Sequence, residues 1–241
     1  MSGERGPKVR VAIDGPAGAG KSTVARKLSE RLGYLLLDTG ALYRTIALAA
    51  IRNAVRWDDA EGLGALASDI VRGSRIAIER AEQASGGGSG MRVRLDGDDV
   101  SSSIRTPEVS LGASRVSAVP AVRDALLDMQ RNEGRGGGVV LEGRDIGTVV
   151  FPDAEVKFFL TASPEIRAKR RYAELTAQGE APSYEATFQE VALRDKADTE
   201  RAVAPLRQAE DAIVIDSSDR DIAELVEEMA RVVFARENLA G

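Results

Sequence analysis

Eight residues near the N-terminus, Gly15-Pro-Ala-Gly-Ala-Gly20-Lys21-Ser22, constrain the fold more than any other feature of the chain. They match G-x-x-x-x-G-K-[ST], and their flanks are those the motif requires. Before them, residues 9–13 form a short apolar, β-branched run that reads as a buried strand ending at Asp14-Gly15-Pro16. After them, Val24, Leu28 and Leu32 fall on one helical face, with Gly33 as a C-cap candidate. A strand that turns on glycines into a helix N-terminus aims successive backbone NH groups at phosphate oxygens. Gly15, Pro16, Ala17, Gly18, Ala19, Gly20, Lys21, Ser22 and Thr23 are therefore the expected nucleoside triphosphate site. Lys21 is expected on the β and γ phosphates and the Ser22 hydroxyl on Mg²⁺. Gly15, Gly18 and Gly20 lack the G-x-G-x-x-G spacing of a dinucleotide fold.

The rest of the chain continues the alternation. Residues 34–37 read as a strand, 42–51 and 58–71 as helices, 120–131 as an amphipathic helix, 139–141 and 156–160 as strands, 164–178 and 184–198 as helices, 212–215 as a strand and 222–236 as a helix. Five short apolar strands separated by helices predict an α/β fold: a five-stranded parallel sheet, buried on both faces and flanked by helices. Between 72 and 106 the texture changes. Runs at 75–80 and 91–95 flank Ser85-Gly-Gly-Gly-Ser-Gly90, which predicts a small antiparallel insertion with a hairpin tip. The expected organisation is a core over 1–71 and 107–241 with the insert at 72–106.

Composition narrows the chemistry. The 241 residues contain no Cys and no His, which removes disulfides, thiol nucleophiles, Cys/His zinc sites and every imidazole mechanism. The formal charge of −5 argues against a nucleic-acid polymer as partner, while 33 Lys and Arg still allow local basic pockets. The first residues lack the apolar stretch of a secretory signal, and no run approaches 18 apolar residues. A soluble cytoplasmic protein without membrane partners is expected.

A guanine-nucleotide switch is disfavoured. The only D-x-x-G, Asp59-Ala-Glu-Gly62, does not follow a strand, and Asp195-Lys-Ala-Asp198 begins with Asp where a guanine reader carries Asn. Arginines point elsewhere. Arg144 and Asp145 follow the 139–141 strand, Arg44 lies one turn into the helix after residue 37, and Arg167, Arg170 and Arg171 share one face at i, i+3, i+4 spacing. Three like charges on one face suit a helical lid, at about 164–180, that closes on polyphosphate; a solvated face with acidic neighbours is the plainer alternative. Phosphoryl transfer needs positioning and charge neutralisation more than proton relays, so Lys, Arg and Mg²⁺ suffice. A lid that excludes water then favours a kinase of a small acceptor.

Five stretches together resemble the bacterial (d)CMP kinase, or cytidylate kinase, family of the nucleoside monophosphate kinase fold. They are the segment from Ile13 to Thr23, Leu36-Leu-Asp-Thr-Gly-Ala-Leu-Tyr-Arg44, Ile104-Arg-Thr-Pro-Glu-Val109, Glu142-Gly-Arg-Asp-Ile-Gly-Thr-Val-Val-Phe-Pro-Asp153, and the segment from Arg194 through Asp198 to Leu206. The resemblance implies transfer of the γ-phosphate of ATP to CMP or dCMP with Mg²⁺, by a monomer with a short Arg-rich lid and an enlarged monophosphate-binding insert. It implies that Arg44, Arg144 and Arg194 hold the acceptor phosphate, that Ser114, Arg123, Asp145 and Arg201 read the cytosine, and that Asp198 meets the ribose. Arg105 and Thr39, which keeps a hydroxyl where several relatives carry Ser, join the acceptor set. Lys21, Arg144, Arg194, Arg167, Arg170 and Arg171 are the expected catalytic cations. Asp198 and Arg201, three apart, alternatively pair with each other, and Arg123 alternatively is a solvated helix charge. Glu142 has no assigned role.

Overall fold

The run at 9–13 becomes strand β1 (Arg10–Asp14), and its four C-terminal residues are buried because a strand lies on each side of it. This computed structural model describes residues 7–80, 91–177 and 179–240. One sheet has the order β2-β6-β1-β7-β8, formed with β2 (Leu35–Asp38), β6 (Val139–Gly143), β7 (Val156–Thr161) and β8 (Ile213–Asp216). The second sheet, in the order β3-β4-β5, consists of β3 (Ile76–Arg80), β4 (Met91–Leu95) and β5 (Asp98–Asp99). Five strands separated by helices, and a separate small antiparallel sheet, are the architecture that the alternating texture predicts. By its internal contacts the chain divides into two compact units, Met1–Tyr34 with Gly137–Gly241, and Leu35–Gly136.

In the first unit β1 runs parallel to β6, with Asp14 opposite Gly143, and parallel to β7, with Asp14 opposite Phe159. β1 and β6 therefore end level with one another while β7 continues to Thr161, and the turns that leave β1 and β6 share one edge. Helix α1 (Lys21–Leu32) follows the glycine-rich turn and stops at Gly33, whose φ of 70° is the left-handed C-cap expected of it. Helix α8 (Ile222–Ala240) packs on α1. β8 departs from the expectation of a sheet buried on both faces. It ends the strand order with one hydrogen-bonded neighbour, and Ile213 and Val214 are 42% and 51% exposed.

The second unit holds α2 (Thr39–Arg52), α3 (Ala60–Arg72), α4 (Pro107–Val116) and α5 (Pro120–Gly134) with the antiparallel sheet. α2 begins three residues before the expected position because the Asp38 side chain accepts from Ala41 NH and caps it. α4 has no counterpart among the expected elements, although Thr106-Pro107-Glu108 carries its start signals: Thr106 caps Val109 NH and proline occupies the first turn. In the hairpin, Ile76 pairs with Leu95 and Arg80 with Met91. The tip expected at 85–90 lies outside the described residues.

Behind the parallel sheet, Tyr34 ties three segments of the first unit together. Its hydroxyl accepts from Val9 NH and donates to the buried carboxylate of Glu237 on α8. Tyr34→Phe leaves both groups buried without that partner, and urea unfolding is expected to show a loss of about 1–3 kcal/mol. A change within 0.3 kcal/mol would show that water takes the place of the hydroxyl.

Candidate active site

The first unit carries the phosphate loop. At Gly15, φ is 149° and a Cβ would stand 1.9 Å from the Leu160 carbonyl oxygen, so no side chain fits where the loop leaves the sheet. Gly20 is the N-cap of α1 in left-handed conformation and supplies no side-chain cap, which leaves the first-turn amides directed at whatever anion the loop encloses. Lys21 is buried, and its Nζ donates to Pro16 O at 2.7 Å. Burial, then the positive charges of Arg144 and Arg194, hold the Lys21 ammonium well below the usual lysine range, against the pull of Glu142 and Asp14. The charges of Arg144 and Arg194 thus act on Lys21 in the phosphate loop, and those of Glu142 and Asp14 oppose them.

Ser22 Oγ donates to Glu142 Oε2 at 2.9 Å. Glu142, which the sequence leaves without a role, therefore stands beside the hydroxyl expected to meet Mg²⁺, and it is buried at the end of β6. A serine oxygen next to a carboxylate is a hard-oxygen donor pair of the kind Mg²⁺ takes alongside substrate phosphates. Among the described residues no group of three or more acidic side chains could hold a metal ion.

Two crossed ion pairs join the end of β6 to the end of α7 (Tyr184–Glu200). Arg144 Nε donates to Asp198 Oδ2 at 2.7 Å, and Arg201 reaches Asp145 Oδ1 at 3.4 Å while its Nε donates to Ala204 O. Asp198 therefore does not pair with Arg201, the local alternative. α7 ends at Glu200, and Arg201 with ψ 139° turns away from the helical face it would need. Arg194 lies close enough to Lys21 to act on its charge.

The three arginines of α6 (Pro164–Ala177) diverge. Arg167 is buried and donates to Ala162 O, to Ala17 O of the phosphate loop and to Asp195 of α7. Arg170 holds Ser217 through both hydroxyl and carbonyl, and Arg171 pairs with Glu174 one turn on. Arg167 and Arg170 thus act as fasteners between α6, the loop and the segment after β8, whereas Arg171 has the acidic neighbour of the plainer reading.

In the second unit, Asp38 Oδ2 takes Arg44 at 2.6 Å while Oδ1 caps α2. Burial raises the Asp38 carboxyl, but Arg44 and Arg105 outweigh it and hold the group below the usual carboxylate range. Arg44 Nε is buried with no hydrogen-bond partner among the described residues, a donor aimed for an acceptor. Thr39 is buried as the first residue of α2. Arg123 is buried too, its guanidinium 5.5 Å over the Tyr43 ring and donating to Ser117 O, which excludes a solvated helix charge. Ser114 is half-buried on α4.

Sequence reasoning missed Asp14. It is buried at the C-terminal end of β1 and accepts from Ile146 NH at 2.8 Å and Gly147 NH at 2.7 Å. Burial pushes its carboxyl up to about 6, against those two amides, with Asp145 adding repulsion and Lys21 attraction. With the folded value above the unfolded one, its contribution to stability is fully present below the unfolded value and is lost as pH rises through about 6. Unfolding measured at pH 4 and pH 7 is expected to move the wild type against Asp14→Asn by about 2–3 kcal/mol over that interval. A constant difference between the two proteins would show an ordinary aspartate.

The family model described as cytidylate kinase matches residues 11–235. Among curated proteins, the cytidylate kinase of a Geobacter species is 52% identical over 236 residues, covering 98% of this chain and 97% of the relative. That of Citrifermentans bemidjiense is 50% identical, covering 98% and 97%. Among solved structures, a shikimate kinase from Acinetobacter baumannii in complex with shikimate aligns with a TM-score of 0.43 at 15% identity, covering 95% of this chain and 94% of that one. A kinase is what the loop, its lysine and the surrounding arginines are equipped to be, and with half the residues shared across nearly the whole length of these relatives, the chain belongs to the cytidylate kinase family.

Proposed function

We propose that this protein transfers the γ-phosphate of ATP to CMP or dCMP, giving ADP and CDP or dCDP. The observation that carries this reading is the phosphate loop after β1, with Lys21 buried on the Pro16 carbonyl and Ser22 bonded to Glu142, in a chain whose β6 delivers Arg144 to the same edge. An oxygen of the acceptor phosphate bonds to the γ-phosphorus as the bond from that phosphorus to the β,γ-bridging oxygen breaks, and ADP leaves with the electron pair. A dianionic acceptor has no proton to remove, so a chain without histidine meets the chemistry in full. Gly15, Ala17, Gly18, Ala19, Gly20, Ser22 and Thr23 hold the donor phosphates through backbone NH groups, Pro16, which has no NH, shapes the loop and offers its carbonyl to Lys21, and Lys21 lies against the migrating group. Bound Mg²⁺ would neutralise charge on the β and γ oxygens; Ser22 and Glu142 are the protein oxygens that fit it.

Arg44, Arg105, Arg144 and Arg194 are assigned to the acceptor phosphate on the family resemblance, Arg44 through its unpartnered Nε. Asp145 is assigned to the cytosine 4-amino group, and Arg201, Arg123 and Ser114 to O2 and N3. Uracil presents a carbonyl where cytosine presents an amino group and would face Asp145 acceptor to acceptor, so UMP is a poor substrate. Asp198 takes a ribose hydroxyl with the oxygen not bonded to Arg144, and Thr39 adds its hydroxyl to the acceptor set. Residues 72–106 serve as the acceptor insert on the 1–71 and 107–241 core, and 164–180, with Arg167, Arg170 and Arg171, as the lid. A monomer in the cytoplasm goes with free nucleotides as partners. No helix among the described residues is long and apolar enough to cross a membrane.

ADP release measured with Mg²⁺-ATP over CMP, dCMP, UMP, AMP, GMP and shikimate tests the reading: preference for CMP and dCMP is expected, and equal use of the other acceptors overturns it. Lys21→Ala is expected to keep the fold by circular dichroism and lose at least about 10²-fold in kcat, since each charge-stabilising donor in a dry site is worth a few kcal/mol. A folded variant with near wild-type kcat would remove Lys21 from the chemistry. Asp198→Ala is expected to raise KM for CMP more than KM for ATP; equal changes would make it a structural partner of Arg144.

A further inference from the structure

The corner that carries Arg144 and Asp145 is built on a residue far away in the sequence. After β6 the chain enters a π-helical turn, Ile146–Val150, whose N-cap is Asp145. The Asp145 side chain does not cap the turn, so the orphan amides at its start need another acceptor. Asp14 supplies it from the neighbouring strand: Oδ1 accepts from Ile146 NH and Oδ2 from Gly147 NH, at 2.8 and 2.7 Å. A Cβ on Gly147 would stand 3.1 Å from Lys157 Cδ and 3.4 Å from Asp14 Oδ2, so the fit leaves little slack. The groups facing the carboxylate are Lys21 and Asp145, with the aliphatic stem of Lys157 beneath Gly147.

A buried carboxylate is costly to desolvate, but here it accepts from two backbone NH groups that no apolar residue could satisfy. It persists where a position has to be held. We infer that Asp14 is a positioning residue for the acceptor: by clamping the amides of Ile146 and Gly147 it fixes the Arg144-Asp145 corner against the phosphate loop, and with it the setting of the acceptor phosphate and the discrimination of cytosine. This rests on the roles proposed above for Arg144 and Asp145. Asp14 touches no substrate itself. Burial pushes its carboxyl up to about 6, yet at neutral pH the group is mainly ionised, the state in which both oxygens accept.

Asp14→Asn places an NH₂ against one of the two amides and breaks half the clamp. In full steady-state kinetics the variant is expected to show a KM for CMP raised about tenfold or more and a narrowed ratio of kcat/KM between CMP and UMP, with KM for ATP within about twofold of wild type. KM values for ATP and CMP that rise together, or a CMP to UMP ratio that stays at the wild-type value, would overturn the inference, because a merely structural residue affects both nucleotides and both bases alike. Asp14→Ser is the second variant; if neither folds by circular dichroism and thermal melting, the carboxylate serves the fold and the inference is equally overturned. A wild-type protein that does not turn over CMP sinks the proposed function first, and the inference with it, before any variant is compared.

Discussion

Like charges gathered in a dry corner set the terms for this structure. Burial disfavours Lys21 as an ammonium, and the charges of Arg144 and Arg194 add to the penalty. Such a cluster persists only if anions are interleaved with it, and here they are: Glu142 and Asp14 act on Lys21, and Asp198 holds Arg144. Each of these carboxylates also joins two segments. Glu142 ties β6 to the first turn of α1 through Ser22, Asp14 ties β1 to the turn after β6, and Asp198 ties α7 to Arg144. The electrostatics of the site and the connectivity of the edge are therefore the same set of bonds.

That edge exists because of register. With Asp14 opposite Gly143, β1 and β6 end at one level, and the phosphate loop and the Glu142-Gly-Arg-Asp145 segment leave side by side. Parallel strands with short turns into helices place backbone NH groups and polar side chains at their carboxyl ends while the strand bodies remain apolar and buried. β6 is buried along its whole length and still delivers a glutamate at its fourth position, tolerated there because Ser22 donates to it. The stability sacrificed at Asp14 and Lys21 falls where local rules are commonly broken in natural proteins, at the functional edge.

Much of this was legible residue by residue. The loop from Gly15 to Ser22, the left-handed cap at Gly33 and the position of Arg144 just past a strand are local signals, since each depends on neighbours within a few positions. Helix α4 was also legible, from Thr106-Pro107-Glu108, although its weakly periodic apolar residues conceal it. Glu142 on Ser22 and Asp14 on Gly147 were not, because strand pairing brings together residues more than a hundred positions apart. The exposed face of β8 was hidden for a related reason: an apolar run does not say whether its strand is central or last.

By itself the sequence determined the strand-loop-helix that cradles phosphate, the alternation that makes a parallel sheet, and an inventory without thiol or imidazole that leaves lysine, arginine and carboxylates to do the chemistry. These follow from short-range geometry and from composition. Only the tertiary structure decided which carboxylate meets which arginine. Helical spacing permits Asp198 to pair with Arg201, but α7 stops at Glu200, Arg201 leaves it in an extended conformation, and the sheet edge offers Arg144 to the first and Asp145 to the second. Charged groups on one chain have many partners within reach of their side chains, and the one chosen is set by where strand ends and helix ends are brought to rest.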